Sequence, residues 1–184
     1  MIGEDFPALL AAAQRGDQAA FSRLWRDANP ALLRYLRVIA ADAAEDIAAE
    51  TWVRVLSGLT RFRGDEQAWR AWLFTTCRRR WIDEGRRRSR SRVIGIDEIP
   101  LAHLPQVADA ADLAMEHLGT RSAMAMLANL PSLQAEVILL RVVAGLDTDI
   151  VARLVKRSPG AVRVAAHRGL RRLAQIAAEA GVTL

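Results

Sequence analysis

The chain has 184 residues, 52% of them hydrophobic, enough apolar material to build a core in one domain or in two small ones. Twenty-six lysines and arginines against twenty-one carboxylates give a net charge of +5, and Lys156 is the only lysine, so the cations favour bidentate contacts with phosphate or carboxylate. With Cys77 the only cysteine, His103, His117 and His167 scattered, no phosphate loop, no paired nucleophile and no apolar run of about 18 residues, the composition predicts no disulfide, metal, cofactor, enzyme site or membrane insertion.

At the amino end Glu4 and Asp5 stand where a signal peptide would be basic, which predicts a cytoplasmic protein. A short helix is expected from Phe6 to Gln14. Asp17 is placed to cap a helix to Arg26 carrying Ala20, Phe21, Leu24 and Trp25. Asn29-Pro30 reads as the start of a separate helix with Leu32, Leu33, Leu36 and Ile39/Ala40 buried. Asp42 reads as the cap of the next helix, Ala43 to Ser57, which Gly58 ends; Ala48, Trp52, Val55 and Leu59 face inward. Its other side shows Glu45, Asp46, Glu50 and Arg54. Carboxylates near a helix amino terminus ordinarily serve the macrodipole. Four of them so close together (Asp42, Glu45, Asp46, Glu50) on a basic protein also suit docking to a protein partner.

Thr60 to Asp65 reads as a loop, and a long helix follows from Glu66 to about Arg88. Trp69, Leu73, Cys77 and Trp81 recur every four residues with Trp72 alongside, the usual pattern of a core stripe. Phe62 lies in the loop between Arg61 and Arg63, where a ring either packs inward or stacks on an unpaired base. The helix ends in the strongest local charge of the chain. Arg78, Arg79, Arg80, Arg86, Arg87, Arg88, Arg90 and Arg92 against Asp83 and Glu84 give +6, suited to a phosphate backbone. Val93 to Thr120 then has five carboxylates, no lysine or arginine, and Pro100 and Pro105. Residues 93–108 read as an acidic linker between a first domain, 1–92, and a second, 109–184, that opens with a helix from Asp109 to Asn129.

Pro131 to Leu173 reads as three helices. Pro131 suits a first helical position, Leu133, Val137, Leu140 and Val143/Ala144 form a stripe, and Gly145 ends the helix. Asp147 is placed to cap a short helix from Thr148 to Leu154, which breaks at Val155-Lys156-Arg157. Ser158 and Pro159 open the third helix, with Val162, Ala166, Leu170 and Leu173 as its core stripe and Arg163, His167 and Arg171 in a row outside. Arg153, Lys156, Arg157, Arg163, Arg168, Arg171 and Arg172 face no acidic residue between them. A basic face is often only a solvated one, but beside a capped short helix and turn it is helix-turn-helix grammar, whose second helix enters a DNA major groove.

These two blocks together resemble the extracytoplasmic-function (ECF, group IV) RNA polymerase sigma factors. Asp42 to Arg88 resembles region 2 of that family through DAAEDIAAETWVRVL, Phe62-Arg63-Gly64 and the Trp72-Leu73 helix with its arginine-rich end. Pro131 to Leu173 resembles region 4 through LPSLQAEVILLRVVAGL and SPGAVRVAAHRGLRRL. The resemblance implies an all-α protein of two small helical domains that binds core RNA polymerase and promoter DNA without chemistry of its own. It places Asp46, Glu50 and Arg54 on polymerase and Phe62, Arg63, Arg78 and Arg79 on the −10 element. Ser158, Arg163, Val164, His167, Arg168 and Arg171 would meet the −35 element. An anti-sigma factor is a further partner class that the sequence leaves open. Ala49, Arg79 and Val164 depart from residues common in the family, and the loop from Phe62 to Trp72 is one residue longer, so no promoter sequence carries over.

Two promoter elements two helical turns apart lie roughly 70 Å from each other, and the 28 residues of Val93 to Thr120 reach about 90 Å when extended. That acidic stretch could also cover the basic face from Arg163 to Arg172 in the free protein. Two other classes fit parts of the chain. A stand-alone helix-turn-helix repressor or activator with an amino-terminal dimerisation domain predicts tight duplex binding without polymerase, and a small DNA-processing enzyme needs a metal or nucleophile site absent from this sequence.

Overall fold

Asp17 fixes where the first long helix begins. Its carboxylate accepts from the Ala19 and Ala20 amides at 2.8 and 3.1 Å, and α2 runs from Gln18 to Ile39 behind the short α1, Phe6–Gln14. The computed structural model describes residues 1–92 and 122–179, and their regular structure is helical throughout.

The expected break at Asn29-Pro30 does not occur. Pro30 lacks one backbone donor, worth about 3 kcal/mol in a helix interior. Across it, Ala20, Leu24, Ala28, Ala31, Leu32, Tyr35 and Leu36 nevertheless stay in phase, and all are buried. Each large apolar side chain among them gains roughly 1.5 to 3 kcal/mol from burial, so packing outweighs the lost bond. Asn29 does not start a helix; its Oδ1 accepts from Trp52 Nε1 at 2.9 Å.

A 3₁₀ turn, Ala41–Ala43, leads into α3, Ala44–Gly58. Asp42 sits in that turn and no side chain caps α3, so its expected capping bond is absent. Ala48, Trp52, Val55 and Leu59 are buried as the pattern predicts, joined by Ala44, Ile47 and Thr51. The next helix, α4, runs from Glu66 to Arg92, four residues past the expected end. Trp69, Leu73 and Cys77 are buried on it, and so is Phe74, which meets Tyr35 edge-on with ring centroids 5.5 Å apart.

The expected linker and the helix from Asp109 up to residue 121 lie outside the described residues. A helical segment at 122–128, α5, precedes α6, Ser132–Ile138, which continues as a wider π turn through Leu139–Val143. Pro131 stands one place before the expected first helical position, at the cap itself. Gly145, at φ +66°, turns the chain after this helix in the left-handed region that glycine tolerates. Asp147 occupies the cap position of α7, Thr148–Val155, yet its side chain makes no capping bond; its carbonyl accepts from the Val151 amide at 2.9 Å. Ser158 does cap α8, Pro159–Glu179, with Oγ accepting from the Ala161 amide at 3.2 Å.

The buried line of α8 is Val162, Ala165, Gly169 and Ala177, and Leu170 is 50% exposed instead of lying in the core. Gly169 explains the rotation. A Cβ there would lie 2.6 Å from Ile138 Cδ1 and 3.2 Å from Gln134 Cβ on α6, so the backbone of α8 approaches closely at this residue and turns Leu170 outward. The two sets of helices share one continuous apolar core, with α2 packed on α6 and on the π turn.

Gly169→Val should therefore lower unfolding stability by roughly 1 to 3 kcal/mol through overpacking. Gly85→Ala on α4, where a Cβ meets nothing within 4 Å, should raise it by roughly 0.5 to 1 kcal/mol. Urea titration of the two variants reads the opposite signs. Burial also pushes the Cys77 thiol up to about 12 from its ordinary 9.0. Its contribution to stability is full below pH 9.0 and is lost as pH rises toward about 12. A thiol reagent at about pH 8 should leave the folded chain unmodified and label one cysteine after unfolding.

Candidate nucleic-acid interface

Because Val162, Ala165 and Gly169 are spent on packing, the helical period turns Arg163, Val164, His167, Arg168, Arg171 and Arg172 outward, and all are exposed. Arg168, Arg171 and Arg172 line one open depression with Gln175. Arg153, Lys156 and Arg157 are exposed just before α8, and Lys156 takes the left-handed conformation that ends α7. Planar guanidinium groups in this density suit phosphate oxygens and guanine edges. Ser158 keeps its place beside them, but its hydroxyl is engaged in capping. Val164 and Leu170, both about half exposed, add apolar contact of the kind that meets a thymine methyl. Periodicity alone puts Leu170 in the core, and the close approach of α8 to α6 at Gly169 turns it outward.

The second group of candidates does not converge on one spot. Phe62 stacks on Trp72 with centroids 5.1 Å apart and planes 15° from parallel, and it meets the edge of Trp69 at 5.7 Å. Of its two sequence readings, this structure places the ring inward. Arg63 Nη1 donates to the Thr60 and Phe62 carbonyls at 2.9 and 2.7 Å, and Gln14 Nε2 donates to the Leu59 and Phe62 carbonyls, which pins the loop. Trp72 and Arg79 are seven residues apart on α4, hence on one face and about 10 Å apart along the axis. Arg79 is exposed there. Arg78, one residue earlier, faces about 100° away and binds Glu136 of α6, Nε to Oε1 at 2.6 Å. Burial works against the charge of Arg78, but the hydrogen bond and charge of Glu136 outweigh it and raise its pKa.

On α3, Asp46, Glu50 and Arg54 are exposed as expected. Glu50 pairs with Arg80 at 3.3 Å and Glu45 with Arg37 at 3.2 Å. Further along the same helix Val53 is 68% exposed and Leu56 50% exposed. Sequence reasoning noted the carboxylates and missed these two, although apolar residues off the inward stripe of an amphipathic helix are a readable signal. Apolar centres rimmed by charge fit a protein partner better than a polyanion. Among the described residues no three His, Cys, Asp or Glu side chains converge as a metal site requires, and no helix is long and apolar enough to cross a membrane.

Comparison with known proteins matches both halves. Residues 24–91 match the family described as Sigma-70 region 2, and residues 120–173 the one described as Sigma-70, region 4. The ECF RNA polymerase sigma factor ShbA of Streptomyces griseus is 33% identical over 181 residues, covering 92% of this chain and 94% of that protein. SigD of Mycobacterium tuberculosis, also described as an ECF RNA polymerase sigma factor, is 30% identical over 179 residues, covering 94% and 84%. CnrH in complex with the cytosolic domain of CnrY superposes with a TM-score of 0.60 at 22% identity, over 92% of this chain and 94% of that one. The sigma factor RpoE in complex with the anti-sigma factor NepR from Bartonella quintana gives 0.62 at 22% identity, over 84% and 94%. At that identity the two structures establish the fold.

Arg171→Ala should weaken binding to duplex DNA about equally for all sequences. It should also reduce the slope of log affinity against log salt by about 0.9, the loss of one phosphate contact. Fluorescence anisotropy across a salt series measures both.

Proposed function

The chain belongs to the ECF RNA polymerase sigma factors, proteins that direct promoter-specific initiation, and on that premise we propose how its surfaces divide the work. The outward face of α3, with Asp46, Glu50 and Arg54 around Val53 and Leu56, docks on core RNA polymerase. Arg63 and Arg79 meet the −10 element, joined by Arg78 once it is released from Glu136, with Phe62 fixing the loop against Trp72 beside them, and Arg163, Val164, His167, Arg168 and Arg171 enter the major groove of the −35 element. Ser158 serves there by fixing the first turn of α8. The domain boundaries that go with this are region 2 over 1–92, a linker over 93–108 and region 4 over 109–184, the two-region layout of group IV. The protein acts in the cytoplasm, where polymerase is, and leaves the chemistry to polymerase. An anti-sigma factor is a fitting further partner, since the similar RpoE is seen with one.

The observation that carries this reading is that one chain presents both an apolar, charge-rimmed face on α3 and a bare basic recognition helix. A stand-alone repressor or activator would use the second and dimerise through the first, and it is the likeness to ECF sigma factors along 92% of the chain that favours polymerase as the partner of the α3 face.

Transcription with purified core polymerase and genomic DNA fragments should give discrete starts that depend on this protein. Failure to associate with core would refute the assignment. Val53→Asp should lower core affinity at least about tenfold, since a charge replaces apolar contact, while circular dichroism stays unchanged because the side chain lies outside the core.

A further inference from the structure

Among the described residues only two charged side chains are buried, Arg70 and Glu136. Arg70 is satisfied largely within its own module, by Asp27 at 2.6 Å and Glu66 at 3.6 Å. Glu136 differs. It stands on α6, and both groups that satisfy it come from the other module: Oε1 accepts from Arg78 Nε at 2.6 Å and from the Tyr35 hydroxyl at 3.0 Å, and Oε2 accepts from Arg78 Nη2 at 3.3 Å. The side chains of Arg78 and Glu136 are 17% and 8% exposed.

The same face of α4 makes two further contacts with that module. Gln67 Nε2 donates to the Gly145 carbonyl at 3.1 Å and Arg70 Nη1 to the Ala144 carbonyl at 3.4 Å. Gln67, Arg70 and Arg78 therefore form a seam along which α4 holds the module carrying α8. A polar seam of this kind adds little net stability but is satisfied in only one register. Two things follow while it is closed. Arg78 is unavailable to a phosphate, and the two DNA-binding modules share one core, so they cannot meet elements roughly 70 Å apart at once.

We propose that Glu136 is an intramolecular latch: its carboxylate holds region 4 on region 2 through Arg78 and Tyr35, and the free protein cannot engage both promoter elements until core polymerase separates the modules. The argument for the latch is asymmetric. Replacing the carboxylate by an amide removes the counter-charge of Arg78 and turns one of the two acceptor oxygens into a donor, a loss felt only in the closed state, because in the open state Arg78 faces water. A substitution at residue 136 thus penalises one state alone and shifts the population. The part played by polymerase and promoter rests on the sigma-factor assignment; the closure itself does not.

The test uses the full chain. By small-angle scattering the wild type should have a radius of gyration near that of a compact chain of 184 residues, about 16 Å, and Glu136→Gln should be several ångströms larger at the same helix content. Without polymerase, Glu136→Gln should bind a duplex carrying both elements about tenfold more tightly, the gain expected if the competent fraction rises from about one tenth to near one. With core polymerase bound, the two proteins should bind it alike. An extended wild type, or equal compaction and equal affinity in the two proteins, overturns the latch. Should Glu136→Gln lose helix content, Tyr35→Phe is read in its place, with a smaller change of the same sign expected and no change counting against the proposal. Failure of both proteins to bind core would overturn the sigma-factor assignment, whereas the scattering experiment contains no polymerase and addresses closure alone.

Discussion

The burial of Trp69, Leu73 and Cys77 along α4 sets the orientation on which the other surfaces depend. With that stripe against the core, the helical period leaves two flanks. One carries Trp72 and Arg79 and is where the Phe62 loop lies down. The other carries Gln67, Arg70 and Arg78 and meets the module that contains α8. A shift of α4 by a single residue would turn it by about 100° and carry one flank into the core, so the buried stripe indirectly decides which arginines face solvent and which face protein.

Arginine is used here in two physically distinct ways. Arg70 and Arg78 have lost most of their hydration and are matched to carboxylates and to carbonyls at helix ends, where the planar fork of donors suits several acceptors at once. Arg163, Arg168 and Arg171 remain in water with no partner from α6 or α7, which keeps them available to a polyanion. The run from Arg78 to Arg80 contains both kinds: Arg78 is paired with Glu136, Arg79 is exposed, and Arg80 reaches Glu50. Net charge describes the solubility and the general partner of such a segment, and says little about which of its members does the binding.

The amphipathic patterns were sufficient for most of the architecture. The helical class, α1, the core sides of α3 and α4, the Ser158 cap and the basic row on α8 all follow from local spacing, because side-chain direction on a helix is set by the backbone period. Pro30 shows where a local rule fails: a strong breaker signal was overruled by a stripe in phase on both sides of it. Asp42 and Asp147 show the same for caps, since residue type permits a capping bond but rotamer and neighbours decide whether it forms.

By itself, then, the sequence determined the helical class, the order of two modules, their resemblance to sigma regions 2 and 4, and a basic recognition helix, all of which depend on residues close together in the chain. Tertiary structure alone decided that Leu170 faces out, that Phe62 lies on Trp72, that Val53 and Leu56 flank the acidic face, and that Glu136 binds Arg78 and Tyr35. The physical reason is range. Helical periodicity fixes direction within a few residues, whereas the partner of Glu136 lies 58 residues away on Arg78 and 101 away on Tyr35, and only the packing of one helix on another brings such groups together.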